Sequence, residues 1–188
     1  MSNIKERLEK IIPKIQSDEF IHSKGLGNEI GFYVFDYDPQ YELLVRDFIK
    51  HIKKELNYPG SDRQIIEYDL FNILLEISRD KKILEMIPEM EKRKGRQKLF
   101  EAIANVAGPD AYIAKMNHDR QTGDVIFITG VGKVYPFMRS HNILNNLHHV
   151  FDRVPVILFF PGTYDGQSLK LFNRFNDDNY YRAFQLIK

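Results

Sequence analysis

Two short stretches of this chain carry residue types at spacings that could do chemistry. In Phe35-Asp36-Tyr37-Asp38-Pro39 two carboxylates stand two positions apart. With Glu29 as a third oxygen donor, such a pair could hold Mg²⁺ or divide acid and base roles. In Thr129-Gly130-Val131-Gly132-Lys133-Val134, Gly130, Gly132 and Lys133 offer backbone amides and an ammonium group to an anion. Each stretch also has a plainer explanation, and the plainer one weighs more. Asp-x-Asp-Pro is an ordinary way to start a helix. A pair of glycines makes a tight strand-to-helix turn that leaves Lys133 in solvent.

Nucleotide hydrolysis asks for more than these stretches hold. The phosphate cradle G-x-x-x-x-G-K-[ST] needs glycine where Phe127 stands and a hydroxyl where Val134 stands. The turn after the first candidate strand holds Asp36 and Asp38, which would repel a triphosphate. Glu67 and Asp69 share one face of a candidate strand, but a restriction-type nuclease centre would want lysine at position 69. His148 and His149 are adjacent, so on a helix they point about 100° apart and cannot chelate together. His141 lies on an apolar stripe, and His118 and Asp119 fall in a loop. Neither H-E-x-x-H nor G-x-S-x-G occurs, which leaves zinc and serine hydrolases unsupported.

The elements that must position these residues follow from the apolar pattern. Val125–Ile128 and Val156–Phe160 are unbroken apolar runs on either side of a helix-length segment, Val134–Phe151. That is the pattern of two buried parallel strands and a crossover. Pro161-Gly162 closes the second run. A helix is predicted over Asn3–Gln16, packed on the core through Ile4, Leu8, Ile11, Ile12 and Ile15. Gly31–Asp36 reads as the first strand and Glu42–Leu56 as a helix with Leu43, Leu44, Phe48, Ile52 and Leu56 inward. Gln64–Leu70 reads as the second strand, running into a helix. Asp80–Val106 is helical with a start or kink at Pro88 and a weak point at Gly95. Ala111–His118 is ambiguous, and 177–187 alternates enough to be a final strand. The expected architecture is a single α/β domain over 1–188. It is a three-layer sandwich around a mostly parallel sheet of about five strands, like a degenerate P-loop-NTPase-like or Rossmann-like core.

Composition bounds the function classes. The formal net charge of +1 gives no global field to recruit nucleic acid or an anionic membrane. The cluster Lys92-Arg93-Lys94-Gly95-Arg96-Gln97-Lys98 is where direct DNA contact would fall, although Glu89 and Glu91 beside it favour a solvated helix face. Absence of cysteine removes disulfides and thiolate chemistry and suits a cytoplasmic setting. No apolar stretch approaches the roughly 20 residues needed to cross a bilayer, and the amphipathic N-terminus lacks a signal-peptide core. Tyrosine and arginine at loop ends expected to be exposed (Tyr164, Tyr180, Arg182) suit a protein–protein interface.

A series of turn motifs resembles one family. It comprises Gly25-Leu26-Gly27-Asn28-Glu29, Phe35–Pro39, Thr129–Pro136, Asn145-Asn146-Leu147, Phe160–Leu169 and Asp178-Asn179-Tyr180-Tyr181-Arg182-Ala183-Phe184. In order and spacing the series looks like the BrxB family of bacterial phage-defence (BREX, bacteriophage exclusion) systems, over nearly the whole chain and most weakly between about Ser78 and Arg120. The resemblance implies a small component that assembles with other BREX proteins, a PglZ-type protein foremost. It supplies no catalytic residues and no cofactor to carry over. A non-enzymatic adaptor is therefore the expectation. Its interface is expected at Gly25, Gly27, Asn28 and Glu29, at Tyr135, at Tyr164 and Asp165, and at Asp178, Tyr180 and Arg182. The alternative is a nucleotide- or metal-binding regulator or enzyme that uses the carboxyl edge of the sheet through Asp36, Asp38, Gly130, Gly132 and Lys133.

Overall fold

A computed structural model describes the chain apart from residues 1–2, 19, 21–30, 117–122, 140–141, 143–145, 148–149, 152–153, 178–180 and 182. The fold is α/β, built on a seven-stranded sheet with the order β2 (Ile65–Asp69), β3 (Val125–Thr129), β4 (Val156–Tyr164), β1 (Phe32–Tyr37), β7 (Phe184–Gln185). β5 (Leu169–Leu171) and β6 (Phe175–Asp177) extend from β4. The chain divides into two compact units. One holds Met1–Glu67, Asp119–Thr129 and Phe151–Lys188, and the other Tyr68–His118 and Gly130–Val150. We call them the sheet unit and the helical unit.

In the sheet unit the apolar runs become strands for the expected reason: their side chains have two faces to bury. β1 (Phe32–Tyr37), β3 (Val125–Thr129) and β4 (Val156–Tyr164) are buried along nearly their whole length. β1 and β3 both run parallel to β4, with Phe35 opposite Phe159 and Phe127 opposite Ile157. One sheet face presents Tyr33, Phe35, Tyr37, Phe127, Ile157 and Phe159 to a core with α1 (Ile4–Glu9), α2 (Ile11–Gln16) and α3 (Glu42–Leu56). Phe159 is the hub, with ring centroids of Phe127 at 4.9 Å and Phe35 at 5.8 Å. The alternate residues Val34, Ile126, Ile128, Val156, Leu158 and Phe160 are buried too, so both faces are covered, as a three-layer sandwich requires.

Three expectations about this unit need correction. First, the inward stripe of α3 is Val45, Ile49, Ile52 and Leu56, while Leu43 is 70% exposed and Leu44 36%. At 100° per residue the observed four fall within about 60° of arc, whereas the expected set is spread over about 220°. Only the narrow stripe can face one core. Second, β4 does not stop at Pro161-Gly162 but runs on to Tyr164. Pro161 has no N–H to give, but its carbonyl accepts from Phe172 N at 2.9 Å. From Gly162 onward β4 pairs antiparallel with β5 (Leu169–Leu171), which pairs with β6 (Phe175–Asp177). This ribbon is why the sheet has seven strands. Third, among the described residues the final strand is β7 (Phe184–Gln185), parallel to β1 with Phe184 opposite Tyr33. The N-terminal helix is held as expected through Leu8, Ile11 and Ile15, with Asn3 Oδ1 accepting from Lys5 N, but α1 and α2 meet at Lys10.

The helical unit begins within β2 (Ile65–Asp69), after Glu67. α4 (Leu70–Asp80) buries Leu70, Ile73, Leu74 and Ile77, and is capped by Asp69, which accepts from Phe71 N and Asn72 N. After a short 3₁₀ turn comes α5 (Ile87–Val106), with Pro88 in its first turn and a non-helical break at Gly95 (φ +78°, ψ 165°). The ambiguous segment is α6 (Pro109–Lys115). The expected long crossover helix over Val134–Phe151 is not formed as one piece: α7 (Val131–Val134) ends after four residues. Pro136 holds Tyr135 in the extended region (φ −63°, ψ 136°), which no helix can continue through. The positions of His118, Asp119, His141, Asn145, His148 and His149 lie outside the described residues.

Candidate functional site

The strand ends carry the polar residues, and their partners decide what they can do. Asp36, near the end of β1, is buried and accepts four bonds. Arg7 donates to Asp36 Oδ1 at 2.8 Å and to the Asp36 carbonyl at 2.8 Å. Tyr164 N donates to Oδ2 at 3.2 Å, and Gln185 Nε2 reaches Oδ1 at 3.4 Å. The same guanidinium lies 4.8 Å from the Phe35 ring centroid and reaches the Ile187 carbonyl at 3.3 Å. One carboxylate thus ties α1, β1, β4 and β7 together. A carboxylate so engaged is poorly placed to take a ligand, because the ligand must first displace a charge-assisted bond.

Asp38 does what its Asp-x-Asp-Pro setting favours. It is exposed and caps the 3₁₀ turn Pro39–Tyr41, accepting from Gln40 N at 3.0 Å. Between the two aspartates, the buried Tyr37 hydroxyl donates to Glu42 Oε2 at 2.6 Å. Its pKa is driven well above the ordinary phenol value, by burial first and the Glu42 charge second. Elsewhere in the sheet unit, Glu67 accepts from Lys53 Nζ at 2.8 Å and from Thr129 Oγ1 at 2.8 Å. Glu29 lies outside the described residues.

In the helical unit the Gly130–Lys133 stretch is closed on itself. Lys133 Nζ is ion-paired with Asp69 Oδ2, the other oxygen of which caps α4. Lys133 also lies 5.9 Å from the Phe71 ring centroid. Gly130 sits at φ +75°, and a Cβ there would fall on the Asp69 carboxylate. The glycine is required by conformation and by close approach together. Gly132 is partly buried inside α7. An incoming anion would have to take Lys133 from Asp69, and α7 is too short to contribute an organised row of free amides.

The expected interface residues separate. Tyr164 is buried, not exposed: its hydroxyl donates to the Ala183 carbonyl at 2.7 Å, fastening β4 to the segment before β7. A hydroxyl at the end of an apolar strand is drawn inward when a backbone acceptor awaits it. Asp165 is exposed and accepts from Gln167 N, Ser168 N and Ser168 Oγ at 2.7–2.8 Å. Those bonds, Ser168 N first, hold its carboxyl below the usual range. Tyr135 is partly exposed. Gly25, Gly27, Asn28, Asp178, Tyr180 and Arg182 lie outside the described residues. Among the described residues no three His, Asp or Glu side chains gather in a metal-binding group.

Sequence reasoning passed over Arg7 and the pairs Lys53–Glu67 and Lys133–Asp69, which long-range packing brings together. One further group stands out. The buried Tyr112 hydroxyl has no hydrogen-bond partner among the described residues, and burial raises its pKa above the ordinary phenol value.

Comparison with known proteins bears on what this geometry serves. A family model described as BREX protein BrxB matches residues 66–186. A Bacillus cereus (strain H3081.97) protein named BREX protein BrxB is 48% identical over 191 residues, spanning 100% of this chain and 99% of that protein. An Escherichia coli O9:H4 (strain HS) protein of the same name is 32% identical over 184 residues, spanning 96% of this chain and 90% of that one. No solved structure matches.

Proposed function

Starting from the fact that the chain belongs to the BrxB family of BREX phage-defence proteins, we propose that it is a non-enzymatic adaptor that binds another BREX component, foremost the PglZ-type protein. The observation that carries the adaptor reading is the state of the polar strand ends. Asp36 and Lys133, the side chains best placed by sequence for chemistry, are engaged by Arg7 and Asp69 and serve to hold the fold. Among the side chains the sheet unit leaves in solvent are large apolar ones. Tyr41, Leu43 and Leu44 enter α3 with exposures of 36%, 70% and 36%. Apolar exposure of this sort, close together in the sequence, suits a protein partner.

The test is co-expression of the tagged protein with the PglZ-type component, affinity capture, and sizing of the product by light scattering. A stoichiometric complex that is lost in Leu43→Asp, with the variant still folded by circular dichroism, is the expected result. Failure to form a complex across a range of salt sinks the adaptor reading. The competing regulator reading needs a ligand at Asp36, Asp38, Gly130, Gly132 and Lys133. Heat released on titrating nucleotide with Mg²⁺ into the isolated protein, and lost in Lys133→Ala, would move the weight there.

A further inference from the structure

The first half of α5 does nothing for the core. Of the whole helix only Leu99 and Ile103 are buried, and every residue from Glu91 to Lys98 is exposed. A helical stretch that buries no apolar face gains little from packing, so its composition is free to serve another purpose. That composition is five cations in seven positions: Lys92, Arg93, Lys94, Arg96 and Lys98.

Local acids answer only two of them. Glu91 pairs with Arg96 at 2.9 Å, and Glu89 meets Arg93 at a loose 3.9 Å. Lys92, Lys94 and Lys98 have no ion pair among the described residues. The near-neutral total charge also conceals a division. The residues of the helical unit include eleven Lys and Arg against eight Asp and Glu, so this unit is basic while the remainder is acidic. The weak global field inferred from composition is therefore not the field at this surface.

The break at Gly95 sharpens the case. Its backbone lies where only glycine rests comfortably, yet a Cβ there would meet nothing within 4 Å. The glycine is present for the bend, not for space. The bend places Lys92–Lys94 at the end of one helical segment and Arg96 and Lys98 in the first turn of the next. Cations in a first turn oppose the helix dipole, so this placement works against local stability.

We propose that Lys92–Lys98 binds the phosphate backbone of a nucleic-acid duplex, independently of sequence. The partner is a duplex because the stretch from Glu89 to Lys98 contains no aromatic side chain on which an unpaired base could stack. Contact of this kind is driven by counterion release, so it weakens steeply as salt rises. It is independent of the adaptor reading, whose proposed contact surface is the start of α3.

The test uses the full chain and a fluorescent DNA duplex of arbitrary sequence, read by anisotropy from low to physiological salt. The variant is Lys92→Glu/Lys94→Glu/Lys98→Glu, checked for an unchanged circular dichroism spectrum and melting curve. The expected result is at least about a tenfold loss of affinity in the variant at low salt. The slope of log K against log salt should also flatten by about 3. Lack of wild-type binding at low salt overturns the proposal, as does equal binding by the variant. Equal competition by polyglutamate and unlabelled duplex also overturns it, by showing a surface for acidic protein. Loss of duplex binding with the PglZ-type complex intact would separate this surface from the adaptor's.

Discussion

Arg7 with Asp36, and the run Lys92–Lys98, are the two charged features that differ most in circumstance. The first is a single ion pair at 2.8 Å, both side chains largely buried, with the carboxylate also accepting from the Tyr164 amide and from Gln185. The second is a crowd of like charges in open solvent with too few acids to answer it. Residue type does not separate them, since Asp36 has the better catalytic credentials on paper. Completion does. A charge whose partners all come from its own chain holds the fold, and a charge left without them is available to something else.

This contrast can be broken by substitution. Asp36→Ala should do the most damage, about 3 kcal/mol, because it leaves the Arg7 guanidinium and the Tyr164 amide without their acceptor. Urea unfolding would measure it, and a cycle with Arg7→Ala should show coupling of at least about 1 kcal/mol. If Asp36→Ala unfolds like wild type, the carboxylate is not structural and its candidacy as a ligand revives. Gly130→Ala comes next at about 2 kcal/mol, from the left-handed backbone and the collision with Asp69. The same chemical denaturation series reads it, and a neutral result would mean the turn can relax away from Asp69.

Tyr164→Phe should cost about 1 kcal/mol, the value of its bond to the Ala183 carbonyl, with no loss of partner capture beyond that. A selective loss of the complex at full stability would instead return Tyr164 to the interface. Smallest of all, reversal of Lys92, Lys94 and Lys98 should move stability by no more than about 0.5 kcal/mol, since these side chains touch nothing that holds the fold. A larger drop in melting temperature would show that the run has partners inside the protein after all.

Some of this is readable from the sequence alone. The strands β1, β3 and β4 follow from apolar runs too continuous to be half-exposed, and α3 begins and ends at its predicted residues because Asp38-Pro39 and Asn57-Tyr58-Pro59 punctuate it. The end of α7 was also legible in principle, since Pro136 rules out a helix through Tyr135. The apolar spacing beyond it outweighs that signal on paper but not in the chain. The candidate site was legible as a set of residues, not as a set of relationships. Asp38 as a cap follows from local sequence. The capture of Asp36 by Arg7 joins positions 29 apart, and that of Lys133 by Asp69 joins positions 64 apart. No short-range pattern announces either.

The sequence alone determined the α/β class, the family, and the absence of a phosphate cradle, because each depends on residue identity at short spacing. Tertiary structure decided that Tyr164 is inside and that β4 runs on through Pro161 into the antiparallel ribbon. It also decided which charges are answered. Those outcomes depend on what the folded chain brings alongside each residue, and a hydrogen bond or a buried contact is a property of the pair.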